Sequence, residues 1–395
     1  MEVRGRVPVV DVSALITELG RSEYAPGSIQ ELSKEAQDAV NTLHDVCRGG
    51  SGGLIAINHG FEKIVKEALS ASLHFHELST EEEKATASRL HMYDAVGEVK
   101  IAVRPPSLHE RLLYPRVIFP EDGNVTTKDI IAGIDHPDAS PPDTIYAHDP
   151  PLLSSAFDTA MRNYQRCIRS LSLSLLRAIS LKLGLSSSYF DRGWETSNSG
   201  LATLHYLAIP NGGENCPISD GYVGAGSAAV DNSGDGIGDL GATLRVYPHA
   251  DGASMFTCLV HDKVEGLQVL ERGHTTSDDV WIDVPCVEKT QIVIQIGQMT
   301  QRFTNDEYKA TPHRVLKPEL PAQARTSLTF FFRPGLDTLL EVPRVLKRPN
   351  DAGSIYETVS VRDHMLMARS DKDGKAVKLT SNILRDGRWI GARVC

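Results

Sequence analysis

The chain has 395 residues, 41% of them hydrophobic and 23% charged, which excludes a wholly disordered, collagen-like or coiled-coil protein. At roughly 100–200 residues per domain, this length allows one large domain with appendages or two small ones. Forty-one Lys plus Arg against 51 Asp plus Glu leave a net charge of −10, so no overall positive field gathers phosphate backbones and nucleic acid is not an expected partner.

The first residues, Met-Glu-Val-Arg-Gly-Arg followed by Val7-Pro8-Val9-Val10-Asp11, resemble neither a secretory signal nor an Arg/Ser-rich transit helix. No apolar run reaches the ~18 residues of a membrane span. The expectation is a cytoplasmic protein with no membrane partner. The six cysteines, Cys47, Cys167, Cys216, Cys258, Cys286 and Cys395, include no C-x-x-C pair, which points to reduced thiols rather than a zinc knuckle or disulfide framework.

In chain order, residues 7–16 alternate like a strand, residues 29–47 carry a helical pattern, and Gly53–Asn58 (GLIAIN) form a second short strand ended by His59-Gly60. Thr80 with Glu83 three residues later spells a capping box, so a helix starts there. From Phe157 the apolar positions Met161, Tyr164, Ile168, Leu171, Leu175, Ile179 and Leu183 step by three or four. They predict one long helix over about 154–183, with Gly184 as its C-terminal stop. After residue 200 come short β-type runs: 202–208, 242–247, 256–260, 266–270, 280–284, 291–296 and 327–332. Their spacing predicts a closed or sandwiched antiparallel architecture, of which the jelly roll is one, with helices packed on it. The expected organisation is a mainly helical region 1–199 with edge strands, a β core 200–335, and an extension 336–395. Residues 211–241 hold nine glycines and few large apolar side chains, which predicts a loop. The segment 344–395 carries 11 basic against six acidic residues and reads as a solvated tail.

Two motifs inside the loop are decoys. Gly236-Ile237-Gly238-Asp239-Leu240-Gly241 spells G-x-G-x-x-G but precedes a strand-like run where a phosphate-binding helix is required. Asp231-x-Ser233-x-Asp235-Gly236 begins like a calcium loop but has Ala242 where a bidentate Glu belongs.

Two His-x-Asp pairs occur where composition alone supplies about one. His136-Pro137-Asp138 lies in a Pro-rich stretch and reads as surface. His249-Ala250-Asp251 follows a strand-like run and precedes another, and alternation sends both side chains to one side. His313, in TPHRV between two later strand-like runs, supplies a third donor. Two histidines and one carboxylate form the facial set suited to Fe(II), with half of the coordination shell left for chemistry; taken singly, each of these histidines reads as a structural or surface residue. Arg325-Thr326-Ser327 opens the strand SLTFFF. A guanidinium and an adjacent hydroxyl suit the far carboxylate of a small diacid, and an exposed ion-pair arginine is the alternative.

On VPVVDVSAL, GGLIAINHG, ELSTEEEK, HAD, DKVEGLQVLERG, WIDVP, TNDEYKATPHRV and RTSLTFFFRP, the chain resembles the isopenicillin N synthase-like branch of the Fe(II)/2-oxoglutarate-dependent dioxygenases over roughly residues 7–335. The resemblance implies a double-stranded β-helix core of mainly β or α+β class. It places His249, Asp251 and His313 on Fe(II), Arg325 and Ser327 on the distal carboxylate of 2-oxoglutarate, and Tyr206 as a third cosubstrate contact. With O2, such a site hydroxylates, desaturates or cyclises a small organic substrate and releases succinate and CO2. Leu204, Gln298 after Gly297, and the long loop depart from the family pattern and blur the identity of the substrate. Alternation along 325–333 extends Phe331 and Arg333 toward that substrate, Arg333 being suited to an anionic group, and Tyr114 is a candidate for a further pocket wall. Two rivals are an iron oxidase of the same fold that does without 2-oxoglutarate and a catalytically silent jelly-roll binding protein. Sequence leaves the oligomeric state open.

Overall fold

Two sheets facing one another organise the chain. The structure, a computed structural model, describes residues 6–20, 23–49, 53–89, 93–94, 109–118, 144–146, 151–191, 197–208, 244–262, 265–272, 279–316, 323–347, 354–367, 384–385 and 388–389. The Gly-rich loop 211–241 with its two decoy motifs, and the pair His136/Asp138, lie outside the described residues.

The strands are β1 (Val9–Asp11), β2 (Gly53–Ile57), β3 (Tyr93–Asp94), β4 (His109–Tyr114), β5 (Arg116–Ile118), β6 (Thr144–Tyr146), β7 (Gly200–Tyr206), β8 (Leu244–His249), β9 (Phe256–His261), β10 (Leu267–Glu271), β11 (Val280–Asp283), β12 (Ile292–Ile296), β13 (His313–Leu316) and β14 (Arg325–Phe332). The major sheet runs β1-β2-β12-β9-β14-β7-β4-β3 and the minor sheet β11-β10-β13-β8. This is a jelly roll of α+β class, and every run expected after residue 200 is a strand in it. Strands β1 and β2, from the N-terminal region, extend the same sheet.

Alternation sorts the major sheet into two environments. On β14, Leu328, Phe330 and Phe332 join Phe256, Cys258 and Val260 of β9 and Ile292, Ile294 and Ile296 of β12 in the core beneath the helices. The opposite face, with Tyr206, Leu259 and Val293, meets Val246, Val269 and Val315 of the minor sheet. The site lies in this second, smaller interior.

Helices α1 (Ser13–Leu19), α2 (Lys34–Gly49), α3 (Glu62–Leu78), α4 (Glu81–Arg89) and α5 (Ser155–Lys182) cover the outer face. The long helix α5 falls where its stripe predicts, ~42 Å in length. Ser154 caps it by accepting from the Phe157 N–H at 3.2 Å. Gly184, at φ +77°, closes it, with the Gly184 N–H donating to Leu181 O and the Leu185 N–H to Ser180 O. The capping box of α4 is formed: the Glu83 N–H donates to Thr80 Oγ1 and the Thr80 N–H to Glu83 Oε2. Two expected elements are shorter than their patterns. The strand in 7–16 stops at Asp11, whose Oδ1 accepts from the Ser13 N–H and hydroxyl and turns the chain into α1. The helix in 29–47 starts only at Lys34, because Ser33 Oγ accepts from the Ala36 N–H and acts as the cap.

Two short helices complete the frame, α6 (Gln298–Phe303) and α7 (Val361–Met367). The segment after residue 335 returns to the core. Arg302 of α6 donates to Glu357 O, Tyr356 donates to Asp306, and the Nε2–H of His364 on α7 donates to Gly252 O at 2.7 Å. Among the described residues no helix is long and apolar enough to cross a membrane.

Burial pushes the His364 imidazole down to about 4, and burial with the Arg325 charge pushes His261 down to about 4. In the unfolded chain both titrate near 6.5. Between those values the unfolded state binds protons that the native state refuses. Stability is therefore full above pH ~6.5 and falls on acidification toward pH 4, by on the order of 3 kcal/mol per group. Urea unfolding from pH 7.5 to 4.5 measures this, and His364→Gln, whose amide can donate near the Nε2 position but cannot titrate, flattens the fall. A midpoint independent of pH, or an unchanged slope in the variant, contradicts the assignment.

Candidate metal centre and anion pocket

Strand β13 pairs antiparallel with β8, with His313 directly opposite His249 and the two ring centroids 4.2 Å apart. Asp251 follows β8 by two residues, in the turn that leads into β9. Its Oδ1 lies 3.7 Å from His249 Nε2 and its Oδ2 4.0 Å from His313 Nε2. One ligand atom from each residue falls within 4.8 Å of the others, the only such His/Cys/Asp/Glu group among the described residues. The structure thus gathers three side chains spread over 65 positions of sequence.

Two of these groups, His313 and Asp251, are oriented from behind. The His313 Nδ1–H donates to Thr311 O at 3.1 Å, which leaves the Nε2 lone pair facing the carboxylate. The Thr257 hydroxyl donates to Asp251 Oδ2 at 2.5 Å, and the Gln298 N–H donates to Asp251 O at 2.9 Å. The turn after Asp251 packs so tightly on the start of α6 that a Cβ at Gly297 would sit 2.0 Å from Ser254 O. Two nitrogens and one carboxylate oxygen turned to one point form the donor set of a facial Fe(II) site.

The second feature lies on β14. Arg325 is 1% exposed and Ser327 fully buried. Arg325 stands opposite Tyr206 of β7, and Ser327 opposite Leu204 of β7 and His261 of β9. The Arg325 guanidinium carbon is 5.5 Å from the Tyr206 ring centroid. Arg325 Nε and Nη2, and Ser327 Oγ, are buried with no hydrogen-bond partner among the described residues. Burial pushes the guanidinium pKa down, with Tyr206 and Asp262 opposing. Leaving such donors unmet in a dry interior is expensive, so the pocket suits an anionic acceptor, and a carboxylate fits it. The His261 Nδ1–H donates to Asp262 O, and its Nε2 is likewise buried without a partner among the described residues.

One face of β14 joins the two features. Arg325, Ser327, Thr329 and Phe331 point the same way, and Phe331 stands opposite Thr257, the residue that holds Asp251, and opposite Gly200. Arg333 follows, its backbone clasped by the Ser197 hydroxyl donating to Arg333 O and the Arg333 N–H donating to Ser199 Oγ. Its Nη2 lies over Gly200, only 2.6 Å from where a Cβ would stand. Phe331 and Arg333 thus continue the line from the anion pocket past the metal centre.

Tyr114 does not. It stands opposite Leu201 on the helix-facing side of the major sheet, 2% exposed, its ring 5.9 Å from that of Phe157 on α5. Burial and Asp158 push its hydroxyl pKa up. The expectation of a pocket-wall tyrosine is corrected by strand parity: Arg111 and Leu113 of β4, opposite Leu204 and Ala202, share the face of Tyr206. Sequence reasoning also misses Thr257, because a threonine in a β-strand carries no mark of its own, and Arg245 on β8, which only the closure of the barrel brings near Tyr206.

Residues 231–334 match the sequence model of the 2OG-Fe(II) oxygenase superfamily. The chain is 29% identical over 195 residues to 1-aminocyclopropane-1-carboxylate oxidase 4 of Arabidopsis thaliana, covering 49% of each protein. It is 33% identical over 187 residues to the 2-oxoglutarate-Fe(II) type oxidoreductase ppzC of Metarhizium rileyi, covering 47% of this chain and 42% of that protein. The chain spans about half the length of the curated relatives it matches. Among solved structures, the dioxygenase for auxin oxidation of rice superposes with a TM-score of 0.58 at 16% identity, covering 92% of this chain and 94% of that one. At that identity the likeness concerns the fold.

Replacing Thr257 by Val removes the hydroxyl that fixes Asp251 while keeping shape. Mn(II) affinity is expected to drop about 10- to 100-fold with the folded state retained, as measured by metal titration and circular dichroism. Unchanged affinity would show that Asp251 needs no such support.

Proposed function

From the membership of this chain in the 2OG-Fe(II) oxygenase superfamily, we propose that it is an Fe(II)- and 2-oxoglutarate-dependent dioxygenase acting on a small organic molecule. The observation that carries this reading is the pairing of a three-donor metal set with a buried, anion-seeking Arg325–Ser327 pocket on one barrel face. A site that bound metal alone would not explain the second feature.

His249, Asp251 and His313 would hold Fe(II), and Arg325 with Ser327 would take the distal carboxylate of 2-oxoglutarate, with Tyr206 as the wall beside it. When bound, the metal with its keto acid and O2 supplies oxidation of a C–H bond, with succinate and CO2 as co-products. The protein's own part is positional. Thr257 and Thr311 keep the donor atoms turned inward, Arg325 fixes the distance of the cosubstrate from the ligands, and the apolar walls Leu204, Val246 and Leu259 exclude water.

Phe331 and Arg333 are the proposed substrate contacts. An anionic substrate is supported by the cationic head of Arg333 at the end of the β14 line, and by relatives such as 1-aminocyclopropane-1-carboxylate oxidase, whose named substrate carries a carboxylate.

The direct test is substrate-stimulated succinate release in the presence of Fe(II) and O2. Arg325→Gln is expected to raise the 2-oxoglutarate KM by about 10- to 100-fold, the loss of one charge-assisted hydrogen-bond pair. Oxidised product without succinate would instead favour the iron oxidase that needs no keto acid. Once a substrate is in hand, Arg333→Ala should raise its KM several-fold while leaving the 2-oxoglutarate KM alone. An unchanged substrate KM would remove Arg333 from the site.

A further inference from the structure

The anion pocket has a second cation. Arg245 on β8 places its guanidinium carbon 5.6 Å from the Tyr206 ring centroid, and Arg325 places its own 5.5 Å from the same centroid. The two arginines come from different sheets and meet at one aromatic ring. One nitrogen of Arg245, Nη2, ties the seam of the barrel by donating to Leu207 O at 3.3 Å and to Gln323 O at 3.1 Å. The other two, Nε and Nη1, are buried and have no hydrogen-bond partner among the described residues. A clasp for the seam needs only the first.

The charges call for the same completion. Burial and the Arg325 charge hold the Arg245 pKa down, the signature of like charges brought together away from water. The acidic side chain that acts on both is Asp262, whose Oδ2 accepts from the Thr326 N–H. Two guanidinium ions and one carboxylate leave a net charge of +1 in the pocket. One further carboxylate brings it to zero and meets the open donors of both arginines.

We propose that Arg245 is a second anchoring residue for the distal carboxylate of the cosubstrate, which is held between Arg325–Ser327 on one side and Arg245 on the other, so that the pocket selects 2-oxo dicarboxylic acids over 2-oxo monocarboxylic acids. The inference rests on the reading that 2-oxoglutarate binds at Arg325. It assigns to Arg245 a cosubstrate-binding role that neither the metal centre nor the seam requires.

The test is calorimetric binding to the full chain loaded with Mn(II), without turnover. Arg245→Gln loses the charge and leaves a shorter amide that stops at the Nε position, short of the seam acceptors of Nη2. Its affinity for 2-oxoglutarate should fall about 10- to 100-fold, while affinity for Mn(II) and for monoanionic 2-oxovalerate stays within about twofold of wild type. Arg245→Lys, which keeps the charge as a single point donor, should lose at least threefold for 2-oxoglutarate alone, and it serves if the Gln variant fails to fold. Wild-type affinity for 2-oxoglutarate in either folded variant, or an equal loss for both keto acids, overturns the inference. Arg325→Gln is the control. If it binds 2-oxoglutarate normally, the cosubstrate site itself is misassigned and the inference falls with it; if it loses binding while the Arg245 variants do not, only the role of Arg245 falls.

Discussion

One extra residue in β8 makes the metal centre possible. In an antiparallel pair, residues three apart point to opposite faces. Yet Val246 packs into the barrel interior and His249, three positions later, faces His313 from the same side. The register with β13 shifts between these positions: His313 is opposite His249 and Val315 is opposite Val246. Two steps on β13 therefore match three on β8, which is the count of a β-bulge and reverses the parity of the strand. Pro248, which has no N–H to give the ladder, sits inside the bulge. Without that inserted residue, either the apolar wall or the histidine would point outward.

From that constraint the rest of the site follows in layers. The turn after His249 delivers Asp251, and the beginning of β9 returns Thr257 to hold it. The tight approach of Gly297 to Ser254 keeps the turn in place, and His364 grips Gly252 from the other side. The C-terminal segment is thus part of the frame around the metal turn through α7, and the acid sensitivity expected of a buried neutral His364 is a property of that frame.

The major sheet does two jobs with one strand. The even-numbered side chains of β14 fill the core under α5 with aromatic rings, and the odd-numbered ones line the barrel with Arg325, Ser327, Thr329 and Phe331. The cost of burying a guanidinium is tolerated because the large apolar core on the other face supplies the stability. Function and folding are divided between the faces of the strand, so that polar residues on one face do not interrupt packing on the other.

Legible in the sequence were the strand runs of the core, the extent and C-terminal stop of the long helix, and the gathering residues His249, Asp251, His313, Arg325 and Ser327. Those features are local, or carried by motifs short enough to be read in place. Strand parity and sheet pairing were decided only in three dimensions. They put Tyr114 against α5 instead of in the pocket, brought Thr257 to Asp251, and brought Arg245 to the same Tyr206 ring as Arg325. The physical reason is that a side chain's face depends on the register with strands far away in sequence, and a single bulge reverses it without leaving a mark that periodicity can detect.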